Sequence, residues 1–170
     1  MVFEIGTKVV YPSHGVAEII GREPRTIEGE SVTCLVLEIP QHGWGTAGGM
    51  RVSVPENRAE ELGVRAAISA EEAAEVLAVL AVTDVRVPSN WSRRFKNHQE
   101  KLKSGDVYEC AEVVRNLALR QKNASLSTAE KSMYARARHI LVSELAVSWN
   151  AEDTEADTRV SAALGLPVAS

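Results

Sequence analysis

The spacing of apolar residues changes near residue 65 and divides the chain into two parts. In the first part, short β-branched and apolar runs alternate with turn residues, which predicts strands. We expect four or five strands, at Val9–Tyr11, Val16–Ile20, Val32–Ile39 and Met50–Pro55 among them. The second of these runs is expected to end at Gly21. Short strands joined by tight turns favour a small Tudor/SH3-like β-barrel.

In the second part, apolar residues recur every three or four positions, which predicts helices. Three capping signals mark helix starts, at Ser69–Glu72, Asp106–Glu109 and Ser127–Glu130. Asn150 is expected to cap a last helix that reaches Leu164. The fold class is therefore α+β with two domains, in which the N-terminal barrel precedes a C-terminal bundle of about five helices. We assign the barrel to 1–55, a linker to 56–65, the bundle to 66–165 and a tail to 166–170.

The segment Asn-Trp-Ser-Arg-Arg-Phe-Lys, residues 90–96, opens one of the predicted helices. Trp91 falls in the first turn, where no preceding turn covers it, and three cations follow within five positions. A projecting aromatic ring among cations suits contact with DNA bases and phosphates. The alternative is a buried stripe, because Trp91, Phe95, His98 and Leu102 share one helix face. The residues alone favour burial.

Charge is unevenly distributed along the 170 residues, although the formal net charge is only −4. Residues 1–64 carry five Lys/Arg and nine Asp/Glu, whereas residues 86–138 carry twelve and five. Residues 151–170 are acidic again. DNA would repel the first block, so that block is better suited to a protein partner, while the central block could approach phosphates. Most of these charges could equally be solvated helix surface.

Catalytic and cofactor chemistry is not indicated by any motif. The histidines are scattered and fit no metal-ligand spacing: His14, His42, His98 and His139. Cys34 and Cys110 are isolated, which suits a reducing compartment and argues against structural zinc. The glycine-rich loop 43–49, which holds Trp44, lacks the Lys-Ser/Thr of a phosphate loop. We therefore expect no cofactor, no metal and no enzymatic activity.

Several motifs occur together in this chain. Its β part contains Phe-x-x-Gly-x-x-Val-Val-Tyr-Pro-x-His-Gly from Phe3, and its helical part contains Asn-Trp-Ser-Arg-Arg. Three further segments belong to the same set, at Arg25–Glu30, Ser104–Val107 and Ala111–Arg115. Together these motifs resemble the CarD/CdnL family of bacterial transcription regulators, and the resemblance covers residues 1–150. The β part alone also resembles the polymerase-binding module of transcription-repair coupling factors.

The resemblance implies a function and a set of partners. Members of the family bind the β subunit of bacterial RNA polymerase through the Tudor-like domain. Their helical domain contacts promoter DNA at the upstream edge of the transcription bubble, where a tryptophan wedges into the minor groove and stabilises the open complex. By resemblance, the protein is cytoplasmic, associates with the nucleoid through the polymerase and needs no membrane. We expect a monomer with little DNA sequence specificity.

The family's functional positions carry over to this chain as follows. Trp91 matches the tryptophan that forms the wedge. Because of this match, we expect Trp91 to be exposed and not buried in the core. Lys96 and Lys131 match positions near the DNA backbone, and Arg93 and Arg94 are expected to assist. For the polymerase, Arg25 matches one contacting arginine. A second such arginine falls at Ser53 here, and Arg51, on the same face of its strand, could substitute for it.

Three alternatives to this interpretation differ in what they bind. A polymerase-binding adaptor without DNA contact would use the basic block only as surface. A Tudor-like peptide reader would need an aromatic cage, for which the β part offers only Phe3, Tyr11 and Trp44. An enzyme would need a catalytic constellation, which the motifs do not indicate.

Overall fold

The computed structural model describes residues 2–12, 14–40 and 49–167. The chain forms two compact units, one extending to Ala67 and the other beginning at Ile68. Three predicted features lie wholly or partly outside the described residues. They are the turn around Ser13, the glycine-rich loop with His42 and Trp44, and the end of the tail.

Among the described residues, the first unit is a curled antiparallel sheet of four strands in sequential order, which confirms the predicted Tudor-like fold. The strands are β1 (Lys8–Tyr11), β2 (Gly15–Ile27), β3 (Glu30–Ile39) and β4 (Met50–Pro55). Alternate side chains fill one face, because successive residues of a strand point to opposite sides. The buried apolar residues of that core are Phe3, Val9, Ala17, Ile19, Leu35, Leu37, Ile39, Val54, Ala59 and Val64.

Strand β2 does not end at Gly21, contrary to the prediction. A register shift between Ile19 and Gly21 forms a bulge, and pairing with β3 then continues to Ile27. A bulge adds one residue and bends the strand without ending the ladder. The hairpin closes through Glu28 and Gly29, whose φ angles are 52° and 82°. Two successive residues with positive φ give the turn that matches the natural twist of a hairpin.

The predicted linker, 56–65, belongs to the β unit instead. A short 3₁₀ turn at Glu56–Arg58 follows β4, and Ala59 and Val64 are buried in the core of the sheet. Arg65 pairs with Val10 through both backbone hydrogen bonds, at 2.7 and 3.2 Å. Apolar side chains within the segment anchor it, so the boundary between the units falls near residue 67.

The second unit contains five helices, which confirms the predicted bundle. They are α1 (Ala70–Ala81), α2 (Trp91–Lys103), α3 (Val107–Asn123), α4 (Thr128–Trp149) and α5 (Asp153–Ala163). The core lies mainly between α1, α3 and α4, with α5 packed against α4. Among its fully buried residues are Val76, Leu80, Val113, Val114, Leu117, Leu141 and Leu145.

Three of the four predicted helix caps are correct. The side chains of Ser69, Asp106 and Ser127 each accept a backbone hydrogen bond at a helix start. Asn150 does not begin the last helix, contrary to the prediction; it ends α4 in a left-handed conformation with φ 50°. Asparagine tolerates that conformation and so serves as a helix stop. Glu152 then precedes α5.

Gly63 gives a stability prediction for the β unit. Its φ is +96°, and an added Cβ would lie 2.5 Å from Cγ of Pro12. We expect Gly63→Ala to lower the free energy of unfolding of the sheet by about 2–4 kcal/mol, from backbone strain plus the clash. Hydrogen exchange of the strand amides in the full chain measures this.

Gly29→Ala is the matched control, because Gly29 has φ +82° and a Cβ added there would meet no neighbouring atom within 4 Å. It should show the backbone strain alone. Equal effects of the two substitutions would contradict the close contact with Pro12.

Candidate functional site

Trp91 is the first residue of α2, as predicted. The Asn90 side chain caps the helix by accepting a hydrogen bond from the backbone N–H of Arg93 at 3.0 Å. This cap begins the helix directly at the tryptophan, so no earlier turn covers it. The Trp91 side chain is 42% exposed, which is high for an aromatic residue of this size.

The indole of Trp91 is held on two sides although it is exposed. Its ring stacks on Phe95, with the centroids 4.9 Å apart and the planes 8° from parallel. Its Nε1–H lies 3.1 Å from two acceptors on α4 and its cap, Oγ of Ser127 and Oε1 of Glu130. One face of the indole and its N–H edge are thus in contact with the protein. The other face and the hydrocarbon edge of the ring therefore account for its exposed surface.

Beyond its exposed first member, the apolar stripe of α2 is partly or fully buried. Phe95 and Leu102 are half-buried against the helical core, and His98 is fully buried. The interpretation of the stripe as core is therefore correct for these three residues. Trp91 extends the stripe beyond the core to the surface.

Arg94 differs from the prediction that it assists in DNA binding. Its side chain is only 2% exposed, and its Nε lies 3.0 Å from Oε2 of Glu130, which is equally buried. Its Nη1 donates to the backbone carbonyls of Pro88 and Ser89, at 3.3 and 3.1 Å. A guanidinium engaged in this way is directed into the protein and not toward solvent.

Glu130 is ionised at neutral pH despite its burial. Burial, the largest single effect, favours the protonated acid, but the hydrogen bonds from Arg94 and Ser127 outweigh it and lower the carboxyl pKa. Glu130 also completes the capping box with Ser127. Sequence reasoning identified that capping box but not its bond to Trp91, because 39 residues separate the two partners.

Three of the predicted DNA-binding cations are exposed. Arg93 and Lys96 lie on α2, and Lys131 follows Glu130 on α4. Within the described part of the chain, none of them forms an ion pair through its side chain. The first turn of α2 contains no acidic residue, although a helix N-terminus favours negative charge. Helix stability therefore does not explain this concentration of cations.

The predicted polymerase-binding residues lie on the outer face of the sheet. Arg25 Nε is 2.8 Å from Oε1 of Glu23, and Ser53 Oγ donates to the same oxygen at 2.6 Å. The hydrogen bond from Ser53 and then that from Arg25 lower the pKa of Glu23. Glu23 was not identified from the sequence, although it lies two residues before Arg25 and therefore on the same face of β2.

Arg51 lies on β4, an edge strand, two residues before Ser53 and on the same face. It is exposed, and it pairs in register with Glu38 of β3. The structure thus brings Arg25 and Ser53 together through Glu23. Arg51 lies farther along the same outer face.

A metal centre and a membrane span each need a recognisable arrangement of residues. Among the described residues, no three His, Cys, Asp or Glu side chains are grouped so that they could hold a metal ion. No helix in the described ranges combines the length and apolar character needed to cross a membrane.

Comparison with known families assigns both units. The family described as CarD-like/TRCF RID domain matches residues 3–68, and the family described as CarD, C-terminal domain, matches residues 75–161. A protein of Bacillus subtilis (strain 168) named "Putative transcription factor YdeB" is 29% identical over 147 residues. The match covers 85% of this chain and 91% of the relative.

His98 gives a pH prediction for this site. Burial of the imidazole, and then the charge of Lys101, lower its pKa to about 4, while Glu130 opposes the shift and Arg94 adds to it. The folded protein keeps His98 neutral, so the unfolded chain binds more protons below its pKa of about 6.5. The contribution of neutral His98 to the free energy of unfolding is fully present above that value and is lost as the pH falls toward 4. We expect a loss of roughly 2 kcal/mol between about pH 7 and about pH 5.

Urea unfolding at the two pH values measures this loss, with His98→Gln as the comparison. The variant lacks a titrating group at the position, so its stability should change less over the interval. An equal loss in both proteins would show that other groups cause the pH dependence.

Proposed function

We propose, since this chain belongs to the CarD family of transcription regulators linked to RNA polymerase, that it stabilises the promoter open complex. In this proposal the β unit binds the polymerase β subunit. The helical unit presses Trp91 into the minor groove at the upstream edge of the bubble. The family is one of regulators and not a known enzyme family.

The exposed indole of Trp91 is the observation that carries the proposal. A tryptophan that is 42% exposed at the tip of a helix, beside three exposed cations, is costly to leave in water without a partner. Bases at a bubble edge are partly unstacked and offer flat apolar faces to such a ring. Arg93, Lys96 and Lys131 supply the charge that phosphates attract.

Stacking of Trp91 on a base would supply enough free energy to change the lifetime of the open complex. Stacking of an aromatic side chain on a base contributes about 1–3 kcal/mol, which corresponds to a roughly five- to hundredfold change in rate. Binding to polymerase raises the local concentration of the helical unit at the DNA. A weak DNA contact made by a protein with net charge −4 can therefore be effective.

The polymerase contact is proposed for the outer face of the sheet and for the edge formed by β4. Arg25, Arg51 and Ser53 share that face, and among the described residues no strand pairs with β4 on the side away from β3. An edge strand can add a strand of a partner protein, while the side chains beside it select the partner. Glu23 orients Arg25 in this arrangement.

An adaptor that binds polymerase without touching DNA is the second candidate. It is favoured by the burial of Arg94, which reduces the basic surface around Trp91. The two functions differ in whether the lifetime of the open complex depends on Trp91.

Trp91→Ala tests the proposed function. With purified bacterial RNA polymerase on a promoter whose open complex is short-lived, the native protein should lengthen the lifetime of that complex. The substitution should remove a roughly five- to hundredfold gain while polymerase binding is retained.

Val82→Ala is the matched control, because Val82 is an apolar residue of the same unit with 43% exposure. It should keep the full effect. A lifetime gain that survives Trp91→Ala would favour the adaptor.

Lys96→Ala and Lys131→Ala test the phosphate contacts. Each neutralised phosphate contributes about 0.9 to the slope of log affinity against log salt concentration. We expect each substitution to reduce that slope by about 1 for binding to forked promoter DNA. Lys103→Ala, at the far end of α2, serves as the charge-matched control. Slopes that are equal for all four proteins would rule out these contacts.

A further inference from the structure

We infer that the buried Arg94–Glu130 pair is a positioning device that holds the Trp91 indole in its exposed orientation before DNA arrives. This inference rests on the proposed function and deepens it. It assigns roles to Arg94, Glu130 and Ser127 that neither the motifs nor the family matches supply. The observation that carries it is that one carboxylate, that of Glu130, binds both the guanidinium of Arg94 and the indole N–H of Trp91.

Arg94 contacts both oxygens of the Glu130 carboxylate. Oε2 accepts from its Nε at 3.0 Å, and Oε1 accepts from its Nη2 at 3.5 Å. Oε1 accepts from Nε1 of Trp91 at 3.1 Å, and it also lies 3.3 Å from Oγ of Ser127. Since both residues of the pair are only 2% exposed, the hydrogen bonds between Arg94 and Glu130 face little competition from water. The orientation of the carboxylate therefore determines where the indole N–H is held.

Arg94 fixes the other end of the arrangement. Its Nη1 donates to the carbonyls of Pro88 and Ser89, in the loop that leads into α2. Asn90, next in the chain, caps the helix and is followed by Trp91. One guanidinium thus restrains the backbone that carries the tryptophan, while its partner carboxylate restrains the ring. Phe95 supports the ring from one face.

Packing alone does not require an ion pair at this position. Taking two charges out of water is costly, and a well-packed apolar pair of similar volume is often as stable or more stable. A buried pair is better explained where it specifies one geometry among several. Here the pair specifies the orientation of the exposed Trp91 side chain. Packing cannot fix that orientation, because among the described residues the ring has no neighbours on its solvent side.

The arrangement also restricts what Trp91 can recognise. The one hydrogen-bond donor of its side chain is occupied by Glu130 and Ser127, so the ring meets DNA with carbon atoms. Contact of this kind does not distinguish bases through hydrogen bonds. Lys131 directly follows Glu130 on α4, so the same helix start sets the distance between the wedge and one of its phosphate-binding cations.

The test replaces the pair as a unit, with Arg94→Met and Glu130→Leu in one protein. This double substitution keeps volume and removes both charges, so the fold should persist while the indole loses Glu130 as an acceptor. Hydrogen exchange of the Trp91 indole N–H, followed by NMR in the full chain, should become faster. The open-complex lifetime should shorten roughly two- to tenfold, because a mobile ring must be ordered on binding.

Two comparisons make the test specific. Removal of the Arg138–Asp157 pair, which joins α4 to α5 away from Trp91, should leave indole exchange and lifetime unchanged. In the Trp91→Phe background, the double substitution should affect the lifetime less than in the native background, because phenylalanine has no N–H to hold and only the restraint on the loop before α2 is lost. If the double variant does not fold, Ser127→Gly removes the other acceptor while glycine remains an acceptable cap, and it should speed indole exchange and shorten the lifetime.

The outcomes separate this inference from the proposed function. If Trp91→Ala shortens the lifetime but the pair substitution leaves it unchanged, the wedge is correct and the positioning role is wrong. Unchanged indole exchange in the folded variants would also overturn the positioning role. If Trp91→Ala itself has no effect on lifetime, the proposed function fails, whatever the pair does to the indole.

Discussion

The buried ion pair between Arg94 and Glu130 is the interaction on which the site of the helical unit depends. It links the loop before α2 and the start of α2 to the start of α4, which lies 36 residues farther along the chain. Desolvating two charges costs several kcal/mol per ion, and only a complete set of hydrogen bonds offsets that cost. The Glu130 carboxylate accepts hydrogen bonds from Arg94, Ser127 and Trp91, so the geometry around it is strongly specified. A surface tryptophan is thereby held in one orientation, as side chains in a core are.

Division of labour between the two units follows from their charges and surfaces. The β unit is acidic overall and carries Arg25, Arg51 and Ser53 on one face of its sheet, in which β4 is an edge strand; these features suit a protein partner. The helical unit carries the basic block, with Trp91 within it. In the proposed function, binding to polymerase raises the local concentration of the helical unit at the DNA, so neither surface has to bind tightly alone. Regulation through the lifetime of a complex requires only the few kcal/mol that one aromatic ring can supply.

Much of the fold could be predicted from local patterns, and the errors occurred where tertiary contacts decide. Alternation and capping residues predicted the strands and five helices, because those signals act within a few residues. The segment 56–65 has the pattern of a linker, yet Ala59 and Val64 bury themselves in the sheet. An asparagine can either cap the start of a helix or end one in a left-handed conformation. Asn150 adopts the left-handed conformation and therefore ends α4. At the site, the sequence indicated an aromatic residue in a first helical turn. Arg94 was grouped with its exposed neighbours although it lies four residues before the buried His98, and its partner Glu130 is 36 residues away along the chain.

The most direct test of the account is to observe the DNA beside Trp91. A fluorescent base analogue can be placed in turn at each position around the upstream edge of the bubble in a polymerase–promoter complex. The account predicts that this protein changes the fluorescence at the upstream edge alone, and that Trp91→Phe weakens the change and Trp91→Ala abolishes it. A change that persists in Trp91→Ala, or one that appears at no position around the edge, would contradict the claim that Trp91 contacts the bases there.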